Sequence, residues 1–243
     1  MKNDYKDFSL RLKEERIRYG LTQQQLCDCT KMQQSSFSRV EAGYIRLTYP
    51  KLKRFCTSGM DIFYVFTGNR ATNRLDFLEL SKTTPEELLY LLSIVYIHAS
   101  GVQTQNRTFP RASENTLFKV SREASFEQIR KQLSYLQCLS GGARTNRNIF
   151  YCLRNYYGYT QGNMADLLGI DIKKLRNLEK GRRLPDSELI WKMYEQFHLS
   201  PAFILNDPRG LWSELNYVLG LLGDDDRRAI LRILEGSHNL VWE

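Results

Sequence analysis

The chain is 243 residues long, 42% apolar, and carries a formal net charge of +8. That length holds one large or two small domains, and with no low-complexity tract it is not a wholly disordered chain. The longest nearly unbroken apolar run, Leu88 to Ala99, is shorter than the roughly 20 residues of a membrane span, and no apolar signal-peptide core follows Met1. Five cysteines (Cys27, Cys29, Cys56, Cys138 and Cys152) show no CxxC spacing, which points to reduced thiols in a cytoplasmic protein. The three histidines are scattered singly, so neither a metal centre nor a histidine-based catalytic site is expected.

Charge is uneven along the chain. Residues 1–70 hold 13 basic and 7 acidic side chains, 71–146 hold 9 and 7, 147–206 hold 9 and 6, and 207–243 hold 4 and 7. Basic segments set apart from an acidic tail suit a polyanionic partner for the former and a protein contact for the latter.

In chain order, Phe8, Leu12 and Ile17 share one stripe of a helix over 8–19 that Gly20 stops. Thr22, with Gln25 three residues later, is a capping-box pattern opening a short helix to Cys29. A turn over 30–32 leads to a helix from about Gln33 to Ala42, ended by Gly43, and helices over 48–57 and 61–66 follow. Thr83-Thr84-Pro85-Glu86 starts a helix whose apolar body is 88–97. Residues 100–116 read as a linker by their polar and turn-forming types, and a helix at about 125–139 precedes the break Ser140-Gly-Gly. Helices then fall at 147–157, 161–168, 171–180, 186–197 and 200–205, with Asp171, Asp186 and Ser200 as caps and Pro201 at a first helical position. Two amphipathic helices, 211–222 and 225–234, are split by Gly223, and Asp224–Asp226 favour the start of the second.

The strongest signal is an internal repeat at an offset of 138 residues. Arg16 lands on Arg154, Tyr19 on Tyr157, Gly20 on Gly158, Thr22 on Thr160, Gln23 on Gln161, Glu41 on Glu179 and Gly43 on Gly181. Apolar positions keep step: Leu26 with Met164, Met32 with Ile170, Phe37 with Leu175, Val40 with Leu178. In each copy a short helix, a tight turn and a second helix form a helix-turn-helix pattern.

The string Arg11-Leu-Lys-Glu-Glu-Arg-Ile-Arg-Tyr-Gly-Leu-Thr-Gln-Gln-Gln-Leu, continuing to Phe37-Ser-Arg-Val-Glu-Ala-Gly, resembles the Xre/Cro family of phage-repressor-like DNA-binding domains. So does Leu153-Arg-Asn-Tyr-Tyr-Gly-Tyr-Thr-Gln, continuing through Leu168-Gly-Ile to Leu175-Arg-Asn-Leu-Glu-Lys-Gly. The resemblance covers about 8–68 and 147–207. It implies an all-α chain with two lambda-repressor-like five-helix domains, at 1–70 and 147–207. A helical connector, 71–146, would contain the linker 100–116, and 208–243 would be a C-terminal helical segment open to oligomerisation.

The resemblance also implies where double-stranded DNA would bind. The second helix of each motif would lie in the major groove. In the first copy it carries Gln33, Gln34, Ser35, Ser38 and Arg39, with Phe37 and Val40 facing inward. Glutamine pairs bidentately with adenine, serine donates or accepts, and Arg39 can reach guanine or a phosphate. Gln23 and its counterpart Gln161 would contact phosphate at a helix start. The second copy differs, with Ile172, Lys173, Lys174, Arg176 and Asn177, then Arg182 and Arg183 past the glycine. Ile172 cannot hydrogen-bond a base, and the cations suit phosphates. This copy therefore supplies affinity, or has turned to packing or partner binding. Glu41 and Glu179 read as structural.

The expected function is a sequence-specific transcription regulator of bacterial or phage origin, acting at the nucleoid, with repression favoured over activation. An antitoxin-like regulator and a protein-interaction adaptor built on the same fold are the alternatives. No P-loop, GxGxxG, nucleophile elbow or metal-ligand cluster is present, so neither an enzyme nor a cofactor is expected. The apolar helices 88–97 and 211–234 exceed what two small domains need. They are expected to pair two chains as a homodimer, or else to join the halves within one chain. A flexible linker of 17 residues, 100–116, would span about 23 Å and let the two heads reach neighbouring major grooves.

Overall fold

The computed structural model describes residues 5–70, 83–104 and 148–242. Among them all regular structure is helical. In chain order the helices are α1 (Lys6–Arg18), α2 (Gln23–Thr30), α3 (Gln34–Glu41), α4 (Tyr49–Thr57), α5 (Ile62–Thr67), α6 (Pro85–Thr104), α7 (Ile149–Tyr156), α8 (Gln161–Leu168), α9 (Ile172–Glu179), α10 (Ser187–Phe197), α11 (Pro201–Leu205), α12 (Pro208–Leu221) and α13 (Asp224–Trp242). No helix of the described residues is long and apolar enough to cross a membrane. The expected helix at 125–139, the Ser140-Gly-Gly break, Cys138 and most of the connector lie outside the described residues. The start of the expected linker does not: 100–104 continue α6, so that part of 100–116 is helix.

The repeat holds helix by helix. Shifted by 138 positions, α2 falls on α8 and α3 on α9, end for end. Their boundaries are set by the same local chemistry. The Thr22 hydroxyl accepts from the Gln25 N–H while the Gln25 side chain accepts from the Thr22 N–H, and Thr160 caps α8 through the Asn163 N–H. Asp171, Asp186 and Ser200 cap α9, α10 and α11 as the sequence suggests, whereas Gln33 makes no capping bond. The turn after α2 needs a left-handed residue. Gly169 supplies it in the second copy, but in the first Lys31 adopts φ 53°.

One apolar residue departs from the expected α1 stripe. Ile17 is 57% exposed, and Glu15 and Arg16 take the inward positions beside Phe8 and Leu12. Glu15 is held there by Arg18 and Arg70. Burial alone would raise its pKa, but the bonds from Arg18 and Arg70 outweigh it and hold the carboxyl below its usual value.

The remaining helices bind the copies together. Leu88, Leu91, Leu92, Val95, Tyr96 and Ala99 make a buried stripe on α6, and Leu211, Leu215, Val218 and Leu219 make its counterpart on α12. The two helices pack along each other, with α13 also against α6 and α5 against α12. At roughly 1.5–3 kcal/mol per fully buried side chain, this contact is a principal source of stability. Most of the apolar residues that suggest a homodimer are thus covered within one chain, while Tyr90, Ile97 and Ile233 stay exposed. A single core runs through both copies and these helices.

Candidate nucleic-acid interface

Two-sidedness defines α3. Phe37 and Val40 are fully buried, while Gln33, Gln34, Ser35, Ser38 and Arg39 are exposed. Phe37 stacks on Phe55 of α4, which fixes the rotation of α3 about its axis. In α9, Leu175 and Leu178 face inward, Ile172, Lys173 and Arg176 are exposed, and Lys174 and Asn177 are half-buried. Arg182 and Arg183 are exposed in the loop beyond Gly181.

A shared hydrogen-bond network anchors both helices. Arg16 Nε donates to Glu41 Oε1 at 2.7 Å, and its Nη1 donates to the Leu21 carbonyl at 2.7 Å. Gln23 Nε2 donates to Glu41 Oε2 at 2.6 Å. In the second copy Arg154 Nε donates to Glu179 Oε1, Arg154 Nη1 to the Tyr159 carbonyl at 3.1 Å, and Gln161 Nε2 to Glu179 Oε2 at 2.7 Å. A second cross-tie is also shared. Arg54 Nη1 donates to the Thr30 carbonyl at 3.2 Å and Lys192 Nζ to the Leu168 carbonyl at 3.0 Å, each closing the C-terminus of the helix before the turn. Each glutamate ties the first helix of its copy and the start of the second to the C-terminal end of the third. The orientation of the exposed face is therefore set by buried, charge-assisted bonds.

This changes the reading of Gln23 and Gln161. Both were expected to face phosphate, yet each is half-buried and gives an amide hydrogen to its glutamate. In the second copy the amide oxygen is also engaged, accepting from Arg176 Nε at 2.9 Å. The Gln161–Glu179 pair thereby holds the Arg176 guanidinium over the exposed face. In the first copy the matching position is Ser38, which has no such reach.

One cation, Lys174, loses some of its expected freedom. Lys174 Nζ lies 3.5 Å from Asp186 Oδ2. The Asp171 carboxylate accepts the Lys174 N–H at 2.7 Å, which puts a negative charge at the start of α9. The start of α3 has neither a capping side chain nor an acidic residue in its first turn, so its N–H groups suit an anion better.

Sequence reasoning missed the carboxylate at Glu15 and a second one at Glu214. Glu214 sits on α12, fully enclosed, accepting from the hydroxyls of Tyr96 and Ser200. Burial pushes its carboxyl up from 4.5 to about 7. Nothing in a lone Glu on an amphipathic helix announces this. Arg54 and Lys192 could have been found, since both are cations at the repeat offset. The chain matches no protein-family model, no curated protein and no solved structure with which it was compared.

Proposed function

We propose that the protein is a sequence-specific double-stranded DNA-binding regulator of the Xre/Cro type, acting in the cytoplasm and repressing by occupying its target. The observation that carries this reading is the outward polar face of α3. It presents Gln34, Ser35, Ser38 and Arg39 side by side, and its orientation is fixed by the Arg16–Glu41–Gln23 bonds. A merely solvated face has no need of such fixation. Base reading does, because a hydrogen bond to a base edge discriminates only when donor and acceptor are pre-placed.

In the second copy Arg176, steadied by Gln161, is a guanine reader, and Lys173, Arg182 and Arg183 are phosphate ligands. A second reading, protein contact through this copy, is favoured by the exposure of Leu184, at 55%, and Ile172, at 39%. Selection of bound sequences from random duplex DNA, followed by footprinting of the winner, tests the proposal. An enriched motif protected by the full chain supports it, and an unenriched pool refutes it.

A further inference from the structure

Between the two copies the contacts are reciprocal. Tyr49 of α4 donates its hydroxyl to the carbonyls of Ile204 and Leu205 in α11, both at 3.3 Å. Lys53, one turn further along α4, donates to the carbonyls of Leu205 at 2.8 Å and Asn206 at 3.2 Å, closing the C-terminus of α11. In the other direction α5 packs on α10 and α11. By the repeat, α10 is the second copy's α4 and α11 its α5. The fourth helix of each copy thus meets the fifth helix of the other. That is the pattern of a two-fold, isologous interface, here within one chain.

The faces that would read DNA take no part in this contact. The exposed residues of α3 and α9 stay open, while the loops that follow them converge. Leu47 and Ser187 exchange two hydrogen bonds, both of 2.9 Å, and Arg46 donates to Glu188 at 3.0 Å. Leu47 lies six positions beyond Glu41, and Ser187 eight positions beyond Glu179. Even fully extended chain would leave the ends of α3 and α9 at most roughly 55 Å apart, and one turn of DNA, about 34 Å, lies inside that limit.

We infer that a single chain is its own pair of DNA-reading heads, holding α3 and α9 on the two halves of one duplex target at one set spacing, without a second chain. The inference rests on the DNA-binding reading above. It replaces the flexible tether with a rigid one. It also specifies the target: the two faces differ, Gln34, Ser35, Ser38 and Arg39 against Ile172, Lys173, Arg176 and Asn177. A site read this way is bipartite and non-palindromic, and the chain binds it in one direction.

The test uses the full chain and the duplex selected from the random pool. Native mass spectrometry of the complex is expected to show one chain of 28.5 kDa per duplex. Five or ten base pairs are then inserted between the two footprinted halves. Both insertions are expected to weaken binding by roughly a hundredfold or more, because simultaneous engagement is lost. Two chains per duplex, a palindromic winner, or tolerance of the ten-base-pair insertion would each overturn the inference while leaving DNA binding intact. A pool without enrichment refutes the DNA reading itself and this inference with it.

Discussion

Leu47 and Ser187 form a closed pair of hydrogen bonds across 140 positions of sequence: the Leu47 N–H donates to the Ser187 hydroxyl and the Ser187 N–H donates to the Leu47 carbonyl. Tyr5 adds its hydroxyl to Ser187, and burial pushes that phenol up to about 12. Arg46, whose guanidinium lies over the Tyr5 ring at 4.2 Å, completes the junction by bonding Glu188. The junction buries polar groups only because each has a partner.

Ser187→Ala removes that partner from the Leu47 N–H and leaves the Tyr5 hydroxyl enclosed. The expected loss is about 1–3 kcal/mol of stability, read from urea unfolding. Since one core spans both copies, unfolding is expected as a single transition. Two separated transitions, or no loss in the variant, would show that the copies fold independently.

Glu41→Ala strands Arg16, whose side chain is nearly enclosed, and frees Gln23. Breaking such a pair costs about 3–5 kcal/mol, more than any surface ion pair yields. Glu179→Ala is expected to act alike through Arg154 and Gln161. Equilibrium unfolding in denaturant checks both, and a loss under about 1 kcal/mol would assign the network to the weak surface class.

Gln34→Ala and Arg39→Ala touch no buried group, so helicity and melting should stay as they are. Each is expected to weaken binding to the selected site by roughly 1–3 kcal/mol, with little change on random DNA. Unchanged affinity in the double variant would mean that α3 is not the reading helix.

On the proposed reading the exposed Lys173, Arg182 and Arg183 contact phosphate whatever the base sequence. Replacing each by glutamine should flatten the plot of log affinity against log salt by about 0.9 per lost contact. Lys174, paired with Asp186, should change the slope less than Lys173. Titrations over a salt series decide, and an equal change for the two lysines would show that the Asp186 pair does not persist on DNA.

Glu214 predicts a pH dependence of the opposite sense to ordinary acid denaturation. Its folded pKa, about 7, lies above the unfolded 4.5, so the folded state binds the proton more tightly. The stabilisation is complete below about pH 4.5 and is lost as pH rises through about 7, amounting to roughly 3 kcal/mol. The difference in unfolding free energy between wild type and Glu214→Gln across that window isolates it. A pH-independent difference would show that the enclosed carboxyl titrates normally.

The repeat made most of the helices legible. Caps at Thr22, Asp171, Asp186 and Ser200 mark helix starts by local chemistry that needs no tertiary partner. Ile17 misled because helical period alone cannot tell a buried stripe from an exposed leucine-like residue when Glu15 and Arg16 carry their own partners inward. The apolar pattern alone starts α12 at Leu211, three residues late, because Asp207 caps it and Pro208 sits at its first position. Gln23 and Gln161 read as outward-facing in the sequence because their glutamate lies eighteen residues away, beyond any local pattern. The junction between copies was not legible at all. Apart from the Arg46–Glu188 pair and Lys53, its contacts join backbone groups and hydroxyls, which every sequence has, and only the fold brings any of them together.

The ring of Phe63 in α5 rests on Tyr217 of α12, and Tyr5 waits for Ser187, 182 positions further on. A ribosome adds roughly 5–20 residues per second, so about 10–40 s separate the emergence of these partners. For that interval the nascent first copy carries an uncovered apolar flank. Contacts of such sequence separation also slow the final closure. The first copy is born complete in its own helices and unfinished on one side, in need of shelter until its repeat arrives.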